Sequence, residues 1–423
     1  MFGVKFYEIR DPIYGFIGLN ELEMDIVNHP VFQRLRRIKQ LGFTEMVYPS
    51  AKHSRFEHSL GVMDLATRLY DGIVKKNSHI LKETIGLDCG ELDRDRELIR
   101  LAALLHDIGH TPFSHVGESL MPTNPKTSKP YKHEHYSAAI IKEIFKDVIE
   151  DHEASVYNIK ARDVAALIEG DEEILKTRFF WKVLISGQLD ADRGDYLLRD
   201  SYHAGVKYGI YDVDRLINTI TIGEDPETTD PILAIEDGGW HVAESLVISR
   251  YHMFTQIYFH KTRRAYDYHL TKALEDILPG KKFPPPEELE DFLKWDDWTV
   301  GYKILNSGQE DCKRIKERDH LRMVYETPEK PTKVDLNKFE KAKEVLENIV
   351  TYEDEAKNSW YKFTTTEGGD VEIYIKKEND TISPLSEYST IVKEIGGIRQ
   401  KRLYVPPEEK NNAKNKLIKE GLL

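Results

Sequence analysis

The sequence is poor in cysteine, in long hydrophobic runs and in excess positive charge. Its 423 residues include only two cysteines, Cys89 and Cys312. That number excludes a disulfide framework and a cysteine-based zinc site, and it suits a reducing compartment. The most apolar helical stretch, Ile99 to Leu105, is far shorter than the roughly 20 residues of a membrane span. The first residues lack the apolar segment of a secretory signal. These absences predict a cytoplasmic protein without a membrane partner.

Positive charge is in deficit, because 60 Lys and Arg residues face 73 Asp and Glu residues, for a net charge of −13. Nucleic acids and anionic membrane surfaces attract an excess of Lys and Arg, so this balance argues against both as partners. An anionic substrate would therefore need a local basic cluster. The hydrophobic fraction of 40% is that of an ordinary folded protein with a sizeable core.

The first two thirds of the chain have helical periodicity. Residues 4 to 19 resemble two short strands around a turn that contains Pro and Gly. Apolar spacing then predicts a helix from Asn28 to Leu41 that ends at Gly42, a second helix after Ser54, and a third from about Glu97 to His106. The fold class predicted here is mainly α, with a short N-terminal hairpin.

Composition changes near Leu278, where a cluster of Pro, Gly and Lys residues marks a candidate boundary. Beyond it, alternation predicts strands at Val371 to Lys376 and at Lys401 to Pro406. We therefore predict a helical core over residues 1–278 and a smaller α+β lobe over residues 279–423.

An adjacent His-Asp pair, His106 and Asp107, closes an otherwise apolar helix. Buried without partners, these polar groups would cost several kcal/mol or so, which favours a bound ion. Imidazole and carboxylate together suit first-row divalent metals better than calcium. His58 and Asp192 lie in other helical segments and are candidates for the remaining ligands. Each of the two alone is more often a hydrogen-bonded core residue or a helix cap, and only the ordered set is specific.

The order His, His-Asp, Asp resembles that of the HD-domain metal-dependent phosphohydrolases. The flanking residues are similar to those of the deoxynucleoside triphosphate (dNTP) triphosphohydrolase branch, the SAM-and-HD-domain and dGTPase-like enzymes. The segments that carry this resemblance are His53-Ser-Arg-Phe-Glu-His58-Ser-Leu-Gly-Val62, His106-Asp-Ile-Gly-His110-Thr-Pro-Phe-Ser-His115 and Asp190-Ala-Asp-Arg-Gly-Asp-Tyr196. The resemblance covers roughly residues 5 to 275, the catalytic core of that family, and implies an HD-domain helical core.

The resemblance implies metal ligands and proton-transfer residues. The implied ligands are His58, His106, Asp107 and Asp192, a set that accepts Mn, Mg, Fe, Ni, Co or Zn. The implied catalytic residues are His110, His115, Glu118 and His133. His115 and Glu118 are three residues apart and share a helix face, so the carboxylate would favour the protonated imidazole that a general acid needs. The family has Asp where this chain has Glu118.

The resemblance also implies a set of substrate contacts: Gln40, Leu41, Arg55, Arg193, Tyr196, Asp200, Lys261 and Tyr266. In this scheme Arg55 and Arg193 bind phosphate, Tyr196 excludes a 2′-hydroxyl, and Asp200 accepts the 3′-hydroxyl. Position 258 departs from the family, because Tyr258 aligns with an arginine that binds the phosphates. Lys261, Arg263 or Arg264 would have to compensate.

An activating nucleotide, GTP or a dNTP, is implied near the first helix, where Arg10, Asn28, Gln33 and Arg36 align with the family's activator-binding residues. Asn28 replaces the acid that reads guanine there. The alternative is that Arg36 and its basic neighbours Arg34, Arg37 and Lys39 form a solvated helix face. Family precedent is a homo-oligomer, from dimer to tetramer.

The leading hypothesis is thus a metal-dependent enzyme that hydrolyses dNTPs to deoxynucleoside and triphosphate. One alternative is an HD phosphohydrolase that acts on another nucleotide phosphate ester, which the departure at Tyr258 keeps open. Another is a nucleotide-sensing module with a vestigial site. The presence of all four implied ligands and of His115 counts against that second alternative.

Overall fold

A computed structural model describes residues 6–83, 86–225, 230–358 and 372–423. The helices are α1 (Glu21–Asn28), α2 (Pro30–Gln33), α3 (Arg55–Glu83), α4 (Cys89–Leu105), α5 (His115–Glu118), α6 (His133–Glu143), α7 (Lys146–Glu150), α8 (Ala161–Glu169), α9 (Glu172–Leu175), α10 (Ala191–Ala204), α11 (Val213–Thr219), α12 (Trp240–Met253), α13 (Lys261–Ile277), α14 (Leu289–Phe292), α15 (Asp297–Asn306), α16 (Glu310–Lys316), α17 (Lys333–Val345), α18 (Leu385–Tyr388), α19 (Thr390–Ile395) and α20 (Lys410–Lys419).

The strands form an N-terminal hairpin and two small sheets. They are β1 (Tyr7–Asp11), β2 (Gly15–Leu19), β3 (Ile220–Glu224), β4 (Pro231–Glu236), β5 (Arg322–Glu326), β6 (Tyr352–Asn358), β7 (Tyr374–Lys376), β8 (Ile382–Pro384) and β9 (Ile398–Val405). The hairpin pairs β1 with β2, and the two sheets have the orders β3-β4-β7-β8 and β5-β9-β6. The prediction of a mainly α protein with a short N-terminal hairpin and a smaller C-terminal α+β lobe is confirmed.

The predicted boundary near residue 278 stays a prediction. Strand β7 pairs in parallel with β4, so a strand from the predicted lobe completes a sheet that begins in the predicted core. The predicted strand at Val371 to Lys376 appears as β7, although Val371 itself lies outside the described residues. The second predicted strand appears as β9, which starts at Ile398, three residues before the predicted start.

Two long helices form the centre of the molecule. On α3, the predicted face of Phe56, Leu60, Met63 and Ala66 is buried. Helix α4 begins with a capping box in which the Asp88 side chain accepts the Glu91 N–H. It packs its Leu- and Ala-rich last turns into the same core cluster and ends at Leu105, directly before the His-Asp pair. The residues that make these helices stable therefore also place the candidate ligands at their ends.

The predicted helix from Asn28 to Leu41 is wrong in its continuity and in its C-terminal end. Helix α2 ends at Gln33, a 3₁₀ turn covers Arg34–Arg37, and Ile38 is extended. The backbone continues as a short bridge in which Lys39 pairs with Ser54 and the Gln40 N–H donates to the His53 carbonyl. Extended backbone is favoured here because it pairs with the chain that leads into α3. No continuous helix therefore joins Arg36 to Gln40 and Leu41.

Among the described residues, the helices that are long enough to cross a bilayer are too polar to do so.

Candidate functional site

The four side chains predicted as metal ligands converge from three helices. His58 lies in the first turn of α3, His106 and Asp107 follow the end of α4, and Asp192 is the second residue of α10. Helix α10 starts here because the Asp190 side chain accepts the Arg193 N–H at 2.6 Å. The fold thus brings together residues that are up to 134 positions apart in the chain.

The donor atoms of this set face one another. His58 Nε2 lies 3.5 Å from Asp107 Oδ2 and 3.0 Å from Asp192 Oδ1. His106 Nε2 lies 3.4 Å from Asp107 Oδ1 and 3.9 Å from Asp192 Oδ1. His58, His106 and Asp107 are buried. Two imidazole nitrogens and two carboxylates around one point form a mixed nitrogen and oxygen ligand set.

The hydrogen bonds at Nδ1 show which nitrogen each histidine offers. His106 Nδ1 lies 2.7 Å from the Ala103 carbonyl, which can only accept, so the proton is on Nδ1 and the lone pair is on Nε2. That Nε2 atom is buried and has no hydrogen-bond partner among the described residues. An unpartnered buried nitrogen that faces two carboxylates fits a divalent cation.

His58 has the same arrangement, because its Nδ1 lies 2.7 Å from Asp195 Oδ2. Burial lowers the pKa of His58, but the bonds to Asp192 and Asp195 outweigh it and raise the pKa to about 10. A divalent cation would take the place of the proton that this pKa describes, since metal ligands must be deprotonated.

Asp195 is a site residue that the sequence analysis did not assign. Its carboxylate binds the Arg199 guanidinium through two hydrogen bonds of 2.8 Å, and Arg199 Nη1 binds Asp11 at 2.8 Å. All three side chains are buried. Gly61 lies against this pair, and a Cβ atom there would collide with both Asp195 and Arg199. A signal existed in the spacing, because Asp195 lies three residues after Asp192 and so near its helix face.

The predicted catalytic residues form a second cluster beside the first. Glu118 bridges two histidines, with His133 Nδ1 at 2.7 Å and His115 Nδ1 at 3.1 Å. His110 stacks on His133 with ring centroids 3.9 Å apart, and its Nε2 lies 3.2 Å from Asp107 Oδ1. The longer glutamate side chain therefore reaches both imidazoles.

Charge in this second cluster is distributed unequally. Burial lowers the pKa of His133, but its bond to Glu118 and the nearby acids raise it to about 9. Burial and the nearby Arg55 charge hold the pKa of His110 well below its usual value. Near neutral pH the stacked pair thus contains one charged and one neutral imidazole. His115 differs from both, because 68% of its side chain is exposed.

The predicted sugar contact Asp200 already has two partners. Its Oδ1 lies 2.7 Å from His53 Nε2, and its Oδ2 accepts a hydrogen bond of 2.5 Å from the Tyr258 hydroxyl. The ring of Tyr196 lies edge-on to that of Tyr258, with centroids 6.2 Å apart. Tyr258 therefore fixes the Asp200 carboxylate.

The remaining predicted substrate residues are more scattered. Arg55 binds Asp107 and donates from Nε to Ser114 Oγ at 2.8 Å, while Arg193 donates to the Gly187 carbonyl. Gln40, Leu41 and Tyr266 are buried. Lys261 lies elsewhere and lines a cavity of about 350 Å³ with Arg322, Tyr404 and Lys414.

A larger cavity of about 880 Å³ opens onto the candidate metal cluster. His106, His133 and Asp192 line it, together with Lys132 and the apolar side chains of Phe179, Phe180, Val183, Ile185 and Leu189. None of the eight predicted substrate residues belongs to its lining among the described parts of the chain. The cluster is therefore accessible from outside on the side of Lys132.

The residues predicted to bind an activator have local partners. Arg36 Nε donates to Gln33 Oε1 at 2.8 Å, and the Gln33 amide donates to the Val27 carbonyl at 2.6 Å. Arg36 also lies over the Phe56 ring at 3.5 Å, and Arg10 lies over Phe16 at 4.7 Å. Asn28 is the exposed last residue of α1.

The alternative of a solvated basic face is wrong for Arg34, which is 1% exposed. The Arg34 guanidinium donates to the carbonyls of Trp295 and His110. Arg37 binds Asp296 at 2.5 Å, and Lys39 binds Glu45 at 2.7 Å. The basic residues of this segment thus mostly tie it to the rest of the molecule.

In a comparison with known protein families, residues 55–183 match the HD domain and residues 211–420 match an HD associated region. An uncharacterized Bacillus subtilis protein, YwfO, is 31% identical over 94% of this chain and 92% of its own length. The deoxynucleoside triphosphate triphosphohydrolase SAMHD1 homolog of Dictyostelium discoideum is 30% identical over 81% of this chain, which spans 58% of that protein. A crystal structure of a hypothetical Aquifex aeolicus protein has a TM-score of 0.78 at 29% identity, and covers 98% of this chain and 100% of its own.

Proposed function

The chain belongs to the HD-domain phosphohydrolase family, and from this premise we propose that it hydrolyses dNTPs to deoxynucleoside and triphosphate with the help of a divalent metal. As a member of this family the protein is an HD phosphohydrolase, and its His and Asp cluster fits a divalent metal. The substrate, the roles of the residues and the activation by a second nucleotide are our proposals.

The observation that carries the proposal is the pairing of the two clusters. His58, His106, Asp107 and Asp192 would hold the metal, which supplies a Lewis acid for the phosphate and lowers the pKa of a water molecule. Asp107 also lies 3.2 Å from His110 Nε2, so the ligands adjoin the proton-transfer residues. This adjacency supports a hydrolytic reaction in which the metal and the proton donor act on the same P–O bond.

In the proposed reaction, water attacks the α-phosphorus and the bond to the 5′-oxygen breaks. His115 donates a proton to that oxygen as the deoxynucleoside leaves, and Glu118, whose Oε2 lies 3.1 Å from His115 Nδ1, orients the imidazole. His133, Arg55 and Arg193 would neutralise the phosphate oxygens, and the neutral His110 would contact them through a hydrogen bond.

Tyr196 and Asp200 are proposed to select the sugar. A ring against C2′ leaves no room for a hydroxyl, and a buried carboxylate rejects a sugar that cannot donate to it. The Tyr258 hydroxyl donates a hydrogen bond to the Asp200 carboxylate and so fixes its position. The relatives named deoxynucleoside triphosphate triphosphohydrolases support this substrate class.

The tyrosine at position 258, where the family has an arginine, also supports a second candidate substrate. A hydroxyl cannot neutralise a triphosphate as a guanidinium does, and Lys261 lines a separate cavity. An HD phosphohydrolase that acts on a nucleotide ester with fewer phosphates would need no cation at position 258.

A product assay tests the proposal. Purified protein with Mn²⁺ is given each dNTP, with and without GTP, and free triphosphate is measured. We expect triphosphate and deoxynucleoside in equal amounts. Release of monophosphate, or turnover of nucleoside monophosphates alone, would contradict the proposal and favour the second candidate.

A further inference from the structure

Asp297, the first residue of α15, is a buried carboxylate that contacts two distant backbone segments. Its Oδ1 accepts the Phe113 N–H at 2.7 Å, and its Oδ2 accepts the Lys39 N–H at 2.9 Å. The side chain is 5% exposed. The neighbouring basic side chains bind other acids, since Arg37 binds Asp296 and Lys39 binds Glu45. Its principal partners are thus the two backbone N–H groups.

The two segments lead directly to residues of the proposed site. Lys39 immediately precedes Gln40 and Leu41, the proposed contacts to the substrate. Phe113 is two residues before His115, the proposed proton donor. One carboxylate therefore connects the substrate side of the site to the side that donates the proton.

The turn before His115 has an unfavourable backbone. Phe113 has φ of 56° and Ser114 has φ of 58°, and neither is glycine. Two consecutive residues in this region persist only where surrounding contacts hold them. The Ser114 hydroxyl supplies one such contact, because it donates to the Lys39 carbonyl at 2.7 Å. Asp297 binds the same two segments through their N–H groups.

Asp297 is itself firmly anchored. Arg34 joins the Trp295 carbonyl to the His110 carbonyl, with Nη2 distances of 2.7 and 2.9 Å. The neighbouring Asp296 caps α15 through the Thr299 N–H at 2.8 Å and binds Arg37. A rigidly held carboxylate can fix the turn that it contacts.

We propose that Asp297 is a positioning residue, whose two oxygens hold the strained turn at Phe113 and Ser114 against the Lys39 segment and so place His115 at the leaving oxygen. This inference rests on the proposed function. It adds a role for the segment after residue 278 in catalysis, since that segment supplies the carboxylate.

The test is a double-mutant cycle with Asp297→Asn and His115→Ala, measured on a dNTP. The amide oxygen can accept only one of the two N–H groups, and the amide NH₂ faces the other. We expect Asp297→Asn to lower kcat roughly 10- to 100-fold with KM and metal content nearly unchanged. His115→Ala should cost about 10²- to 10⁴-fold, the usual contribution of a general acid. The double variant should lose no more than His115→Ala alone.

Asp291→Asn is the control, since it changes an exposed carboxylate on α14 that binds Lys294 and lies outside the two segments that Asp297 joins. It should keep kcat within about threefold. If Asp297→Asn does not fold, Asp297→Ser replaces it, because the hydroxyl still accepts one N–H. Losses that multiply in the double variant, or wild-type kcat in Asp297→Asn, would overturn the inference. Absence of triphosphate release by the wild type would instead reject the proposed function.

Discussion

The candidate metal cluster around Asp107 and the surface around Arg36 were both predicted from the sequence to be functional, but their side chains have different kinds of partners. In the cluster, Arg55 binds Asp107 across 52 positions and His58 binds Asp195 across 137. At the surface, Arg36 binds Gln33 three positions away and lies over the Phe56 ring twenty positions away, and Gln33 binds Val27 six positions away.

The two groups of residues also differ in how exposed they are to solvent. His58 and Asp107 are buried, whereas Arg10, Asn28 and Arg36 are exposed. Removing one partner from a buried charged pair costs about 3–5 kcal/mol, because the other charge remains uncompensated. Exposed pairs contribute at most about 1 kcal/mol. The buried long-range contacts therefore hold the first group of side chains firmly in one arrangement, whereas the exposed short-range contacts hold the second group only weakly.

The largest effect is expected at the ligands. His106→Ala and Asp107→Ala should each abolish metal binding and hydrolysis, because three ligands hold the metal weakly and misplace its water. Elemental analysis and the triphosphate assay measure both. His79→Ala, an exposed histidine on α3, is the control and should change neither. Full metal content in both variants would remove the main support for the cluster as a metal site.

A second prediction tests whether Asp195, which contacts His58 but is not itself a proposed ligand, affects metal binding. Asp195→Asn should lower metal affinity about 10- to 100-fold, because the carboxylate orients His58 and neutralises Arg199. Metal titration of the apoprotein measures this affinity. Asp214→Asn, at an exposed carboxylate that binds Arg68, should leave affinity unchanged. Wild-type affinity in Asp195→Asn would show that long-range burial alone does not identify functional residues.

A third prediction concerns the sugar. Wild-type protein should turn over dATP about 10- to 100-fold faster than ATP, and Tyr196→Ala should reduce that ratio, since the ring no longer fills the space beside C2′. Tyr202→Ala, an exposed tyrosine on the same helix, is the control. Equal rates for ATP and dATP in the wild type would contradict the assignment and favour the second candidate substrate.

The smallest effect is expected at the surface. A nucleoside triphosphate should stimulate hydrolysis about fivefold or more and promote assembly, and Arg36→Ala should remove both effects without loss of metal. Titration of each triphosphate, with sedimentation in parallel, measures this. Lys142→Ala, at an exposed pair elsewhere, is the control. Full activity and an unchanged oligomer without a second nucleotide would leave Arg36 as a surface residue.

Much of this fold could be predicted because it depends on local pattern. The apolar face of α3 and the Leu- and Ala-rich end of α4 repeat at helical spacing, so the positions of His58 and His106 followed directly. The helix predicted from Asn28 to Leu41 failed for a non-local reason. Lys39 pairs with Ser54, and such pairing overrides the apolar spacing of Leu35, Ile38 and Leu41.

The candidate site likewise has one part that local sequence patterns predict and another that depends on distant contacts. The sequence by itself determined which residue types end which helices, because periodicity and capping act within a few residues of each helix end. It therefore marked the His-Asp pair at the end of an apolar helix, whereas the full ligand set was implied by the family resemblance and stays a prediction. Only the tertiary structure decided that Asp195 supports His58, that Tyr258 holds Asp200, and that Asp297 joins Lys39 to Phe113. Those contacts join side chains and backbone groups 58 to 258 positions apart, and no local pattern specifies which distant partner a buried carboxylate will find.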